Sequence, residues 1–377
     1  MWKFPTYETN EPINWVEIES RFEWFRDMSG VQQDSIWHSE GDVQVHTKMV
    51  VEALINLEEF KLLEEQEKHI LFTSALLHDV EKRSTTTTEI IDGVERIVSP
   101  RHAKRGEFTT REILYVDIPT PFEIREEIAK LVRFHGLPLW AIQKEDPNKE
   151  VIKASLVVNT KHLSMLAKAD ILGRICQDAE DILFRIELFN ELCKENKCFG
   201  TPRNFKSNYG RFFYLNRKES SPDYVPYEDL KFTVNVICAL PGSGKDTYIK
   251  RNLNLPILSL DDIRRENKIP PTDKKKNGQV IQLGKEKAKV HMRLKENFVF
   301  NATNITSDMR SKWISLFLEY GARVRIIYLE VPYASLMKQN HNREHKVPEK
   351  VINRMISKLE IPTYNEAHDI EYHTNLD

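Results

Sequence analysis

The sequence predicts two domains of different class: an all-α domain over residues 1–200, a linker over 201–230, and an α/β domain with a parallel sheet over 231–377. Three observations predict it. Between about residues 45 and 198, apolar residues recur at helical spacing. From Cys198 to Leu230 that period stops, and Gly, Pro, Asn and Ser take over. From Phe232, short β-branched or aromatic runs alternate with helical segments, the pattern of an open parallel sheet.

Taken in order, "VHTKMVVEALINLEEF" reads as a helix with Met49, Ala53, Leu54 and Leu57 on one face. "EKHILFTSALLHDVEK", "PFEIREEIAKLVRFHG" and "KHLSMLAKADILGRICQDAEDILFRIELFNEL" read likewise. The polar "STTTTEIIDGVERIVSP" interrupts them and predicts a hairpin around Asp92-Gly93. The linker interleaves Lys and Arg with Phe and Tyr, which suits either a clasp between domains or contact with a nucleic-acid strand. The predicted strands are "FTVNVICA", "LPILSL", "NFVFNA", "RVRIIYLEV" and "DIEYHT".

Composition bounds the function classes. Apolar residues make up 40% of the 377, enough for packed cores, and 30% are charged, yet the net charge is only −2. Attraction to nucleic acid or membrane must therefore be local. The four cysteines form no C-x-x-C pair, so a reduced, cytoplasmic setting is expected. The N-terminus lacks an apolar core of signal length, and no apolar run approaches the roughly 18 residues of a membrane span, so no membrane partner is expected.

Two stretches carry chemistry. In the first, His78 and Asp79 sit side by side on an otherwise apolar helix, and Asp170 shares a face with Leu163, Leu166 and Ala167. Burying such groups alone is costly. A shared cation is the economical solution, and His46 supplies a fourth ligand. The H…HD…D pattern resembles the HD phosphohydrolase superfamily, an all-helical fold. That resemblance implies His46, His78, Asp79 and Asp170 as ligands of one metal, and His102 and His135 as ligands of a second, with Asp79 bridging. It implies one or two divalent transition metals; mixed His and carboxylate donors suit Mn, Co, Ni, Zn or Fe. Lys82 stands where H-D-x-x-K members place a phosphate-contacting Lys, with Glu81 in place of the usual Gly; Asp79 and Lys82 are thus the catalytic candidates here. "WHSEGDVQVHT" also resembles the HD domains attached to some tRNA nucleotidyltransferases, which implies His38 and Asp42 in the substrate pocket.

The second stretch is "ALPGSGKDT", between a predicted strand and a predicted helix. Gly242 and Gly244 let backbone N–H groups turn toward an anion, and Lys245 reaches for phosphate. The expected ATP contacts are Gly242, Ser243, Gly244, Lys245, Asp246 and Thr247, with Mg2+ alongside. Ala239 replaces the first Gly of the usual pattern, and Asp246 the usual hydroxyl; either Thr247 or Asp246 is left to serve the metal. Asp261 and Asp262 follow a strand, where a carboxylate can accept a hydroxyl proton, and Arg264 can grip a phosphate. Arg343, in a basic segment, is a candidate lid cation, with Arg354 a weaker one. "FVFNATNIT" ends a strand with Asn301 and Asn304 where an acid is expected.

P-G-S-G-K at 241–245, D-D-x-R at 261–264, A-T-N at 302–304 and R-x-x-x-V-P at 343–348 together resemble the polynucleotide 5′-kinase family of P-loop phosphotransferases. The resemblance implies Asp261 as general base, Arg264 on the substrate phosphate and Arg343 as lid, while Ala302 replaces that family's acid. The whole chain resembles the bacterial HD-Pnk family of bifunctional RNA-end-healing enzymes, both domains in the same order. Implied are ATP-dependent phosphorylation of 5′-OH ends, metal-dependent hydrolysis of 2′,3′-cyclic, 2′- or 3′-phosphate ends, RNA or DNA ends as substrates, and coupling to an RNA ligase. Two rivals are an HD nucleotidase fused to a nucleoside or nucleotide kinase, and a non-enzymatic ATP-gated switch.

Overall fold

In the first part of the chain the apolar periodicity folds into helices around one nearly all-buried helix. The computed structural model describes residues 1–270, 273 and 275–374. The chain divides into two compact units, Met1–Asn204 and Phe205–Asp377.

The main helices of the first unit are α1 (Val43–Asn56), α2 (Glu65–Leu77), α3 (His102–Glu112), α4 (Phe122–Phe134), α5 (Thr160–Leu172) and α6 (Ala179–Glu195). Every residue of α2 from His69 to Leu77 is buried, His69, Thr73 and Ser74 included, so this helix is covered on all sides and central. It packs on α1 and α4, α5 packs on α1 and α6, and α3 packs on α4. At the end of α5, Gly173 lets the chain press against α1: a Cβ there would lie 2.6 Å from the Val50 nitrogen. A buried ion network ties α3 to α4: Arg111 donates to Glu107 (2.8 Å) and Glu126 (2.9 Å), and Lys130 donates to Glu107 (2.6 Å).

The unit is not purely helical. Strands β1 (Thr87–Ile91) and β2 (Val94–Val98) pair antiparallel, with Ile91 opposite Val94. The turn is Asp92-Gly93, both at positive φ (52° and 78°), the geometry a two-residue hairpin loop requires. The face of α1 also differs from the expected one. Its buried residues are Val43, His46, Thr47, Val50, Val51 and Leu54, while Met49 and Ala53 are half-buried. Counting apolar residues alone turns the helix the wrong way, because two polar residues point inward.

In the second unit the five apolar runs form one parallel sheet: β3 (Phe232–Ala239), β4 (Ile257–Ser259), β5 (Phe298–Asn301), β6 (Ala322–Leu329) and β7 (Asp369–His373), in the order β4-β5-β3-β6-β7. The first strand in sequence is therefore the middle one in space. Its loop opens at the carboxyl edge of the sheet, where such folds bind ligands. The labelled helices are α7 (Asn208–Asn216), α8 (Lys245–Asn252), α9 (Leu260–Glu266), α10 (Asn277–Arg293), α11 (Ser307–Glu319), α12 (Tyr333–His341) and α13 (Glu349–Ile356). Ile237, Ala239, Ile249, Val299, Ile327 and Leu329 form a core cluster under α8.

Most of the segment expected as a linker belongs to this unit. On α7, Asn208 donates to Asp369 (2.7 Å), Arg211 to the His368 carbonyl (2.7 Å) and Asn216 to the Asn365 carbonyl (3.0 Å). The Phe212 ring sits 4.3 Å from that of His368. Tyr209 and Phe212 thus find their ring partner at the far end of the sequence, while Phe205 packs on Tyr214 and Phe213 on Tyr224 within the segment.

Candidate metal centre and candidate phosphate loop

Four histidines and two aspartates from five elements converge in the first unit. His46 comes from α1, and Asp170 from the last turn of α5. His78 and Asp79 lie at the C-terminal end of α2 rather than within it, His102 opens α3, and His135 follows α4. The Nε2 atoms of His46 and His78 are 3.4 Å apart, and so are those of His102 and His135. Asp79 stands between the pairs. Its Oδ2 is 3.2 Å from His78 and 3.6 Å from His46, and its Oδ1 is 3.4 Å from His102 and 3.9 Å from His135. Asp170 Oδ1 is 3.1 Å from His46 Nε2.

The outer nitrogens explain why this cluster needs a cation. His78 Nδ1 donates to the Ala75 carbonyl (2.7 Å), His102 Nδ1 to that of Ser99 (2.7 Å) and His135 Nδ1 to that of Val132 (2.8 Å). In each case the acceptor lies three residues upstream. His46 Nδ1 lies 2.9 Å from Glu40 Oε1, within ion-pair reach but outside hydrogen-bond angles, and the carboxylate beside it favours a proton on that nitrogen. With every Nδ1 carrying the proton, each neutral ring presents a bare Nε2 lone pair inward. Four lone pairs and two carboxylates then face one another, and Asp79 Oδ1 is buried without a hydrogen-bond partner. Ligand atoms around an ion with bonds of 2.0–2.1 Å lie about 3.0–3.4 Å apart, close to the spacings here. The donor set fits one or two divalent cations with Asp79 shared.

The titration behaviour agrees. Burial pushes His135 down to about 3 and lowers His102, which keeps both rings neutral. Burial is the largest influence on His78 and opposes its charge, but the Asp79 and Asp170 carboxylates and the Ala75 carbonyl together raise that ring, drawing a proton toward the space a cation would fill.

Three supporting residues were not singled out from the sequence. Glu40, its side chain fully enclosed, accepts from His38 Nδ1 (2.8 Å) and from the Ile175 N–H (2.9 Å), besides facing His46. Arg174 forks onto Asp170 through Nε (3.0 Å) and Nη2 (2.6 Å). Gln33 accepts from Lys82 (2.8 Å), whose ammonium also pairs with Asp79 Oδ2 at 2.7 Å. The one readable signal was an acid between two histidines in "WHSEGDVQVHT".

A cavity of about 290 Å³ opens over the cluster, and His38, Lys82, His102, His135, Asp170 and Arg174 line it. At its lip stand Trp37 and Trp140, 41% and 43% exposed, and the Arg185 guanidinium lies 5.1 Å from the Trp140 ring. Asp42 is not part of this lining. Both its oxygens accept backbone N–H groups, from Val45 (2.9 Å) and Gly30 (2.7 Å), so it caps α1 and pins the preceding turn instead.

In the second unit, Ala239 ends β3 with ordinary backbone, so the first position of the loop needs no glycine. Gly242 and Gly244 do need to be glycine: their φ angles are +96° and +78°, and a Cβ on Gly242 would lie 3.2 Å from the Leu336 carbonyl oxygen. Gly244 caps α8, whose first amides have no helical acceptor and face the loop. Lys245 is buried, Ser243 is buried with its hydroxyl unpartnered, and Thr247 is exposed. Asp246 accepts from Asn301 Nδ2 (2.9 Å) at the end of β5.

Ser259 caps α9 by accepting from the Asp262 N–H (3.1 Å), which sets Asp261 exposed on the same sheet edge. Asp262 pairs with Arg265. Arg264 donates one nitrogen to Asn277, and its buried Nη1 has no partner. Arg343 is half-buried in the loop between α12 and α13, and Arg354 lies on α13. Asn340, also missed in the sequence, staples that loop by bonding both backbone groups of Val347 (2.8 and 3.0 Å). Ala302 is buried, and Asn304, at φ 51°, donates to the Ile237 carbonyl (2.8 Å).

No helix among the described residues is long and apolar enough to cross a membrane. Residues 234–362, about a third of the chain, match a family model described as an AAA domain. An unliganded sugar kinase from Janibacter sp. HTCC2649 shares 17% identity over 38% of this chain and 85% of its own, with a TM-score of 0.30. A gluconokinase from Sinorhizobium meliloti 1021 shares 17% identity over 40% of this chain and 86% of its own, with a TM-score of 0.28. Scores this low carry nothing about substrate. By its own geometry the second unit is a P-loop α/β unit, and the first is a helical unit with one hairpin and a buried histidine–aspartate cluster.

Proposed function

We propose that this chain heals broken RNA ends, in the manner of the HD-Pnk family. The P-loop unit phosphorylates a 5′-OH end from ATP, and the helical unit hydrolyses a 2′,3′-cyclic, 2′- or 3′-phosphate end. The observation that carries the reading is the paired histidine cluster around Asp79, lying under a cavity lined by Lys82 and lipped by two tryptophans. That combination suits a phosphate joined to a base.

In the helical unit, a divalent cation would lower the pKa of water and polarise a phosphoryl oxygen. The chain's own residues set the stage for that chemistry. Glu40 and three backbone carbonyls hold the imidazoles in one tautomer. Lys82 and Arg174 offset the charge of the phosphate, and Trp37 and Trp140 offer faces to a base. Hydrolysis of a cyclic phosphate adds water oxygen to phosphorus and breaks one ribose P–O bond, and the departing oxygen takes up the proton.

In the P-loop unit, the amides of 242–245 and the Lys245 ammonium hold the donor phosphates. Asp261 accepts the proton of the attacking 5′-hydroxyl while the γ-phosphoryl passes to its oxygen and ADP leaves. Arg264 holds the phosphate of the acceptor strand.

The deciding experiment offers the full chain an RNA with a labelled 2′,3′-cyclic phosphate end, with and without divalent metal, and separately a 5′-OH oligonucleotide with labelled ATP. Metal-dependent opening of the ring together with label transfer to the oligonucleotide is expected. Transfer to nucleosides alone would favour the nucleotide-metabolism rival, and binding without turnover at either end would favour the switch.

A further inference from the structure

In a phosphate loop the residue after the Lys is ordinarily Ser or Thr, and Mg2+ is held by that hydroxyl and by an Asp at the end of a neighbouring strand. Here both positions are changed: Asp246 follows Lys245, and Asn301 ends β5. In the structure the two side chains meet. Asn301 Nδ2 donates to Asp246 Oδ1 at 2.9 Å.

Because a carboxylate only accepts, that bond dictates how the amide lies. Asn301 Oδ1 must point elsewhere, and it is buried without a partner in a residue only 7% exposed. A buried side-chain amide usually has both ends satisfied. The pair therefore keeps one negative charge and one mutual hydrogen bond, and it leaves oxygens to spare beside the loop. Hard cations such as Mg2+ take this kind of ligand. A bland account also exists: an acid in the first turn of α8 is favourable toward the helix dipole by itself. It leaves the buried Asn301 oxygen unexplained.

We propose that Asp246 and Asn301 form the Mg2+ seat of the nucleotide site, with the charge moved from the strand to the helix relative to the usual arrangement. The inference rests on the kinase reading. It is tested on the full chain by titrating a fluorescent, non-hydrolysable ATP analogue in excess Mg2+ and in EDTA. By linkage, the factor by which Mg2+ tightens the analogue reports the seat.

In the wild type we expect Mg2+ to tighten binding. Asp246→Asn and Asp246→Ser should each shrink that factor by about tenfold or more, in the range seen when groups supporting a metal are removed. Affinity in EDTA should hold or rise, since a negative charge near the phosphates has gone. The double variant Asp246→Ser with Asn301→Asp returns the acid to the strand and should recover the factor, a rescue that a bracing role does not predict. Far-UV circular dichroism establishes that each variant folds. A double variant no better than Asp246→Ser alone overturns the seat. So does an intact factor in Asp246→Asn alongside a lost one in Thr247→Val, which would assign the metal to the Thr hydroxyl. A wild type that binds no analogue under either condition sinks the kinase reading itself; retained binding in EDTA with a failed rescue sinks only the seat.

Discussion

Replacing Glu40 with Gln should uncouple the metal cluster from its support without removing a single inward-facing donor. The enclosed carboxylate faces three nitrogens: Oε1 pairs with His38 Nδ1 at 2.8 Å and lies 2.9 Å from His46 Nδ1, and Oε2 accepts from the Ile175 N–H at 2.9 Å. Gln has one acceptor end and one donor end. With its oxygen toward the histidines, its NH2 meets the Ile175 N–H, so two donors oppose each other and the tie to Ile175 is lost. Turned over, its NH2 meets the imidazoles, and His46 must shift its proton to Nε2, which removes that lone pair from the cluster. Either way the cation loses, and outer-shell changes of this kind weaken metal binding about 10–100-fold, or about 1.4–2.8 kcal/mol. The assay is competition for Zn2+ or Co2+ against a chromophoric chelator on the full chain without nucleotide, with ATP-analogue binding as the control that should not move. Metal affinity within about twofold of wild type would refute the reasoning and reduce Glu40 to packing.

Three further predictions follow from the geometry. Lys245→Ala and Asp261→Ala should each cost kinase activity at least about 100-fold and spare phosphoester hydrolysis, while Asp79→Ala does the reverse; loss of both activities in any one variant would mean the sites are not independent. Trp37→Ala and Trp140→Ala should each weaken an RNA end about 5- to 150-fold, read as KM on the cyclic-phosphate RNA, because stacking on an aromatic face contributes about 1–3 kcal/mol per base; equal losses on a phosphoester lacking a base would reject them as base platforms. His368 is buried, and burial, then Arg323, lowers it from 6.5 to about 4. The folded state therefore binds this proton later than the unfolded chain, so stability is complete above pH 6.5 and falls by up to about 3 kcal/mol as pH drops toward 4. Urea unfolding of the second unit across that range should show the decline, and His368→Gln should flatten it.

Much of this architecture was readable because it is local. Strand runs announce themselves over a few residues, Asp92-Gly93 names its own turn, and Gly242 and Gly244 are required by backbone angles set within one loop. His78, Asp79 and Asp170 stood out for a similar reason: an ionisable group on an apolar face conflicts with burial wherever its partner lies, whereas His102 and His135 were reached only through the resemblance to HD phosphohydrolases. The partners themselves were not readable. Glu40 reaches across 135 residues to Ile175, Asn301 across 55 to Asp246, and Asn208 across 161 to Asp369. Nothing in a periodicity specifies such meetings, since they depend on how whole helices and strands stack. The same holds where expectation and structure part company. Asp42 turned to capping because two backbone N–H groups lie within its reach, α1 rotated because His46 and Thr47 face the core, and residues 205–230 joined the second unit as Tyr209 and Phe212 met His368 and Asn208 met Asp369. Sequence alone determined which residues demand a partner. The packed chain decided which partner each received, because hydrogen bonds and ligand sets depend on ångström-scale distances that only the assembled core sets.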